Sequence, residues 1–308
     1  MEQSKLINHK DLQTFVRLVF KKAGLDEEGS NIVARHLVLA NLRGIDSHGV
    51  TRVKNYVERI ENEIVNKTPG IEIIKETASF AHIDGRNQLG ILSATEAMKI
   101  AVDKAINTGI AVVGVKNSNH CGMLADYTNY AAENDCISFM TTNAPPNMAP
   151  WGGKERYLGT NPLSYGVPGY NNEHIIFDMA TSVVARGKIK LAIKNNEGIP
   201  IGWAITKDGE QTDDPEEAMD GTVLPVGGPK GYGLAFLVEV LSGIFTGANF
   251  GPYIGRPEDL STKQSIGHFL FVMKADLFDE ISVFKNRLMS IGQEMKNVPL
   301  ARGVKEIY

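Results

Sequence analysis

Cysteine is scarce: Cys121 and Cys136 are the only two in 308 residues, too few for a disulfide framework. No apolar run reaches the roughly 18 residues that a membrane-spanning helix needs. The first residues, MEQSKLINHKDLQ, lack the apolar core of a secretory signal, so a cytoplasmic location is expected. A basic excess is also missing. With a net charge of −4 and no Lys/Arg cluster, neither nucleic acid nor an anionic membrane is an expected partner. A small anionic substrate would therefore need a local positive site. The seven histidines are scattered, with no HExxH and no cysteine pair at metal spacing, so no metal site is expected. No GxGxxG follows a strand pattern and no Walker A spacing occurs, so the usual phosphate-binding fingerprints are absent.

What is present is a change of texture along the chain. The first 65 residues read as three helices. Asn8 caps the first, with Leu12, Phe15, Val16, Val19 and Ala23 on one face and Gly24 as the stop. A second covers 27–42. A third is expected to start at an Ser47 cap, with Val50, Val53, Val57, Ile60 and Ile64 as its stripe. From about 71 to 205, short apolar runs at 71–74, 80–84, 110–115, 137–141, 163–167, 174–178 and 203–205 alternate with helical stretches at 92–107, 123–134 and 183–193. A long helix follows at 230–245, then a strand at 265–275 and a last helix at 279–296. The pattern predicts an α+β, non-Rossmann fold in which a mixed-sheet cofactor domain is inserted into a helical domain built from both chain ends. The expected division is 1–74 and 228–308 for the helical domain and 75–227 for the cofactor domain.

Four segments carry chemistry. The apolar run 110–115 leads into a polar loop ending in His120, where an imidazole suits general acid–base work. Cys121 beside it offers a nucleophilic Cys–His pair as an alternative, but adjacent residues in extended chain point to opposite sides. In GIDSHGVTR, His48, Arg52 and Tyr56 are spaced four apart, and a guanidinium at the edge of the buried face suits a carboxylate. Asp178 closes an apolar strand, where a carboxylate can accept ribose hydroxyls or cap a helix; Arg186 and Lys188 beyond it face either a phosphate or solvent. LPVGGPKGYGL sets glycines and Lys230 at a helix start, an arrangement suited to a phosphate.

Together GIDSHGVTR, NSNHCG, NMAPWGG, GTNPLSYGVP, FDMATSVVARGKI and LPVGGPKGYGLA resemble, in order and over most of the chain, the malate/L-lactate dehydrogenases of the second type. The resemblance implies NAD-dependent interconversion of a small 2-hydroxy acid and its 2-keto acid, with malate as first choice and NADP as the alternative cofactor. It places the catalytic histidine on His120 and the carboxylate-binding arginine on Arg52, with Tyr56 in the substrate pocket. Cofactor contacts fall on His48, Asp178, Met179, Ala180 and Lys230, and a homodimer is implied. This sequence departs from the pattern at Ala144, where many relatives carry a serine, and at Cys121, where an aromatic is frequent. Relatives also continue past ARGVKEI through a Pro-Gly-Glu tail, where this sequence ends at Tyr308. A Cys–His hydrolase or transferase, a reductase of a related imine, and a non-catalytic nucleotide binder are the competing readings.

Overall fold

A computed structural model of the chain describes residues 6–307. Met1–Lys5 and Tyr308, the outer ends of the two expected helical segments, lie outside the described residues. Helix α1 (His9–Ala23) begins where the Asn8 side chain accepts Lys10 N and ends at Gly24 in the left-handed region. Its buried residues are Val16 and Phe20, whereas Phe15 is exposed, so the stripe is rotated from the expected one. Helix α2 (Glu27–Leu42) is capped by Asp26. The expected third helix does not start at Ser47. Two 3-10 turns, Asp46–His48 and Val50–Arg52, precede α3 (Val53–Glu61), whose first turn has no side-chain cap. Gly49 explains the break: a Cβ there would collide with Asn41, and the Asn41 side-chain Oδ1 instead accepts Val50 N at 2.9 Å. The three helices share a core of Val16, Phe20, Val33, Leu37, Tyr56 and Ile60.

A seven-stranded sheet follows: β1 (Glu72–Glu76), β2 (Phe80–Asp84), β3 (Ile110–Ser118), β4 (Cys136–Thr142), β5 (Leu163–Val167), β6 (Ile175–Met179) and, from far along the chain, β10 (Ile266–Lys274). The order is β1-β2-β3-β10-β4-β5-β6, with β2 and β3 parallel and the other pairs antiparallel. Side chains alternate along β3, so Ala111, Val113 and Val115 face helix α4 (Gly90–Thr108) in the main core. Helix α5 (Ala125–Glu133) covers the same face over β4 and β5. The sheet does not follow the expected division of the chain. β1 spans the boundary at 74/75, because Glu72 already pairs with Asp84. β10 fills the gap between β3 and β4, so residues 266–274 belong to the mixed sheet and not to a helical end segment.

The remaining elements form a third cluster around Met148, Leu158, Ile189, Ala204 and Ala235. It contains α6 (Arg186–Asn195), the small sheet of β7 (Ala204–Ile205), β8 (Gln211–Thr212) and β9 (Thr222–Val223), α7 (Pro215–Asp220) and α8 (Pro229–Glu239). The expected helix 230–245 changes at Val240–Ile244 into a π-helical turn, a form that often marks functional sites. Helix α9 (Ile281–Lys296) closes the described chain.

Candidate active site

Where the helical unit, the end of the sheet and the third cluster meet, a cleft of about 860 Å³ opens. Its lining includes His48, Arg52 and Tyr56 from the first unit, His120, Cys121 and Asn143 from the sheet ends, and Arg156, Arg186 and Met219 from the third. His120 therefore sits opposite the residues that the GIDSHGVTR segment supplies. Its loop is fixed from several sides. Asn119 Nδ2 donates to Gln88 O at 2.8 Å, and His120 N donates to Gln264 Oε1 at 3.0 Å. Below it, the Asp126 carboxylate meets Arg35 through two bonds of 2.7 Å and His36 Nδ1 at 2.8 Å, tying α2 to α5.

His120 Nδ1 lies 2.6 Å from the Tyr56 hydroxyl, which leaves Nε2 as the ring nitrogen free to meet a ligand. The His48 ring stacks on His120 with centroids 5.3 Å apart. Burial first, then the Arg52 guanidinium and the neighbouring histidines, holds the His120 pKa well below its ordinary value. The same causes, burial first and Arg52 next, bring His48 down to about 4. Both rings are thus neutral near pH 7, and burial keeps the Tyr56 phenol protonated by raising its pKa. Arg52 Nε donates to Ser47 O at 2.6 Å, and its terminal nitrogens have no protein partner among the described residues. A fixed guanidinium can hold a carboxylate while the neutral imidazole beside it accepts the proton of a hydroxyl on the adjacent carbon.

The thiols do not fit the alternative chemistry. Cys121 and Cys136 are buried, and burial pushes their thiols up to about 12 and about 11. Neither supplies a thiolate near neutral pH.

Asp178, Met179, Ala180 and Lys230 stand apart from the cleft lining. Thr181 N donates to Thr160 O and Val226 N donates to Thr181 O, both at 2.9 Å. The segment after β6 thus runs between Thr160, which lines the cleft, and the turn before Lys230. That turn uses Gly227 and Gly228 at φ 59° and 65°, where a side chain would be strained. Asp178 does cap a helix, but α5 rather than the one that follows: its Oδ2 accepts Ala125 N at 2.8 Å. Burial raises its pKa, while the N–H groups of Ala125 and Leu124 pull it back. Lys230 is exposed and has no ion pair among the described residues. A strand-end carboxylate suits ribose hydroxyls, and an unpaired ammonium beside a glycine turn suits a phosphate.

Sequence reading missed several cleft residues. Arg156, Lys190 and Arg256 line it, and the fully buried Arg59 secures one wall by donating to Asp259 O at 2.9 Å and Thr262 O at 3.1 Å. Arg59 does have a local signal, seven residues after Arg52 and three after Tyr56 on one helix face. Lys190 lies within the stretch expected to be helical but carries no signal of the cleft, and Arg156 and Arg256 come from segments without apolar periodicity.

Among known proteins, the family model described as malate/L-lactate dehydrogenase matches residues 7–308. The chain belongs to that family. It is 39% identical over 292 residues to the malate/(S)-sulfolactate dehydrogenase of Methanothermus fervidus, across 95% of this chain and 86% of that protein. It is 34% identical over 303 residues to the NAD(+) ureidoglycolate dehydrogenase of Escherichia coli, across 98% and 86% of the two. The solved sulfolactate dehydrogenase of Methanocaldococcus jannaschii superposes with a TM-score of 0.93 at 37% identity, covering 98% of this chain and 88% of the other. Dehydrogenases of the malate/L-lactate family use NAD or NADP, and this member is an NAD(P)-dependent 2-hydroxy acid oxidoreductase. The mixed α/β architecture is that of the solved malate and sulfolactate dehydrogenases.

Proposed function

We propose that this dehydrogenase interconverts malate and oxaloacetate, with Arg52 and His120 as its catalytic pair. The observation that carries the reading is the convergence of Arg52 and Tyr56 from one segment and His120 from another on one cleft. Arg52 holds the substrate carboxylate through its unpartnered terminal nitrogens. His120, with Nδ1 directed at Tyr56, takes the 2-hydroxyl proton at Nε2 and returns it in the reverse direction. The bound nicotinamide supplies the hydride acceptor or donor. His48, Asp178, Met179, Ala180 and Lys230 hold the dinucleotide, with the His48 ring stacked on His120. Orientation by Arg52 matters because hydride transfer needs near-contact geometry.

Malate is preferred as substrate because relatives are named for malate and sulfolactate, and both molecules carry a second acid group. NAD is the first choice of cofactor. A cytoplasmic homodimer accords with the exposed apolar side chains of Leu234, Phe236, Leu237 and Phe245 along and beyond α8, which a second copy would cover. No helix among the described residues is long and apolar enough to cross a membrane. The experiment is a panel of 2-keto acids against NADH and NADPH, followed by the near-ultraviolet absorbance of reduced nicotinamide, with wild type and His120→Ala. Turnover of oxaloacetate by wild type and its loss in the variant, with NADH still bound, is expected. Wild-type rates in the variant would remove His120 from the chemistry.

A further inference from the structure

The far wall of the cleft concentrates positive charge that no ion pair among the described residues takes up. Arg156 donates from Nε to Gly221 O and from Nη2 to Met219 O, both at 2.6 Å. Arg186 donates to the same Met219 carbonyl at 2.5 Å and to Asn147 Oδ1 at 3.3 Å. These bonds fix both guanidiniums without pairing either with a carboxylate. The Lys190 and Arg256 side chains have no hydrogen bond and no ion pair among the described residues, although both line the cleft. The charges lie close enough to repel: the Arg186 pKa is lowered by burial first and then by Arg156 and Arg256. Two carboxylates line the cleft. Asp259 is occupied by Ser261 and Thr262, and Glu258 has no ion pair among the described residues. With Arg52 on the near wall, five cations face these two carboxylates in a chain whose net charge is −4. Partly buried like charges raise the energy of the empty site and are relieved when an oxyanion arrives.

We propose that Arg156, Arg186, Lys190 and Arg256 form the subsite for the second acid group of the substrate, across the cleft from Arg52. The enzyme then selects 2-hydroxy acids with an oxyanion at each end over those with one. This rests on the reading of Arg52 and His120 as the reacting end. The same cations would also suit a cofactor phosphate, and the binding of NADH and NADPH distinguishes the two sources.

Arg256→Gln with Lys190→Gln tests it, because neither side chain makes a bond that the fold depends on. The ratio of kcat/KM for oxaloacetate to that for pyruvate should fall about tenfold or more, the scale of losing a charged hydrogen bond. The Kd values for NADH and NADPH should not change. A ratio equal to that of wild type overturns the proposal, and so does weakened cofactor binding in its place. Thermal stabilisation by succinate relative to butyrate reads the subsite without catalysis. A succinate preference lost in the double variant supports the subsite even if no keto acid is turned over, in which case only the dehydrogenase assignment of the pair Arg52 and His120 fails. An equal succinate effect in both proteins overturns the subsite alone.

Discussion

Tyr56→Phe removes one oxygen from the site and is the sharpest probe of how His120 works. The Tyr56 hydroxyl is 2.6 Å from His120 Nδ1, and Tyr56 is 3% exposed, so water has little access to replace it. When Nε2 takes the substrate proton, Nδ1–H becomes part of an imidazolium and the phenol oxygen is its acceptor. Phenylalanine leaves that charged donor unpaired at a cost of roughly 1.5–3 kcal/mol, which slows turnover by about 10- to 100-fold. The pH profile gives the direction. Burial already holds the His120 pKa low, and losing the acceptor disfavours the charged ring further. The base form then persists to still lower pH, and the acid limb of kcat/KM for hydroxy acid oxidation moves to lower pH in the variant. The assay is steady-state oxidation across pH, with unfolding curves confirming that the fold is intact. Wild-type kcat/KM in Tyr56→Phe would refute the reasoning. So would a rate loss without movement of the acid limb, because the hydroxyl would then act on packing alone.

Three further outcomes follow from the same structure. Glu239 is buried and accepts Asn143 Nδ2 at 3.2 Å, Asn161 Nδ2 at 2.6 Å and Gly251 N at 2.8 Å, so Glu239→Ala strands three donors. It should cost about 3 kcal/mol or more in urea unfolding and reduce activity through Asn143 in the cleft. His268 bridges Ser118 Oγ at 2.7 Å and Thr142 Oγ1 at 2.8 Å, and burial lowers its pKa from 6.5 to about 3. The neutral ring contributes stability that is full above pH 6.5 and is lost as pH falls toward about 3, so Tm should decline over that window and less steeply in His268→Gln. Because burial keeps both thiols protonated, with pKa values of about 12 for Cys121 and about 11 for Cys136, iodoacetamide should add no mass to the native protein and two adducts in urea.

Local signals carried much of the fold. Asn8, Gly24 and the alternation of Ala111, Val113 and Val115 act within a few residues, so α1 and β3 lie where the sequence indicates. The Ser47 start failed because the deciding contact is with Asn41 on the preceding helix, which takes Val50 N away from an ordinary cap. Phe15 looked like a core residue by spacing, but the helix turns Phe20 inward instead. The near wall of the site was legible because Arg52 and Tyr56 are four apart and His120 ends a clear strand. The far wall was not: Arg156, Lys190 and Arg256 converge only through the third cluster and the loop that Arg59 secures. No periodicity records such a meeting.

The central position of β10 sets the order in which this protein can be built. β3 and β4, which lead to His120 and Asn143, do not pair with each other; each pairs with a strand whose His268 is 150 residues beyond Ser118 and 126 beyond Thr142. A nascent chain emerging from the ribosome therefore carries two open strand edges until that late segment arrives, and the catalytic loop cannot settle before then. Such long-range closure slows folding and exposes surface to association, so yield during synthesis will depend on temperature and chaperone supply more than the stability of the finished enzyme suggests.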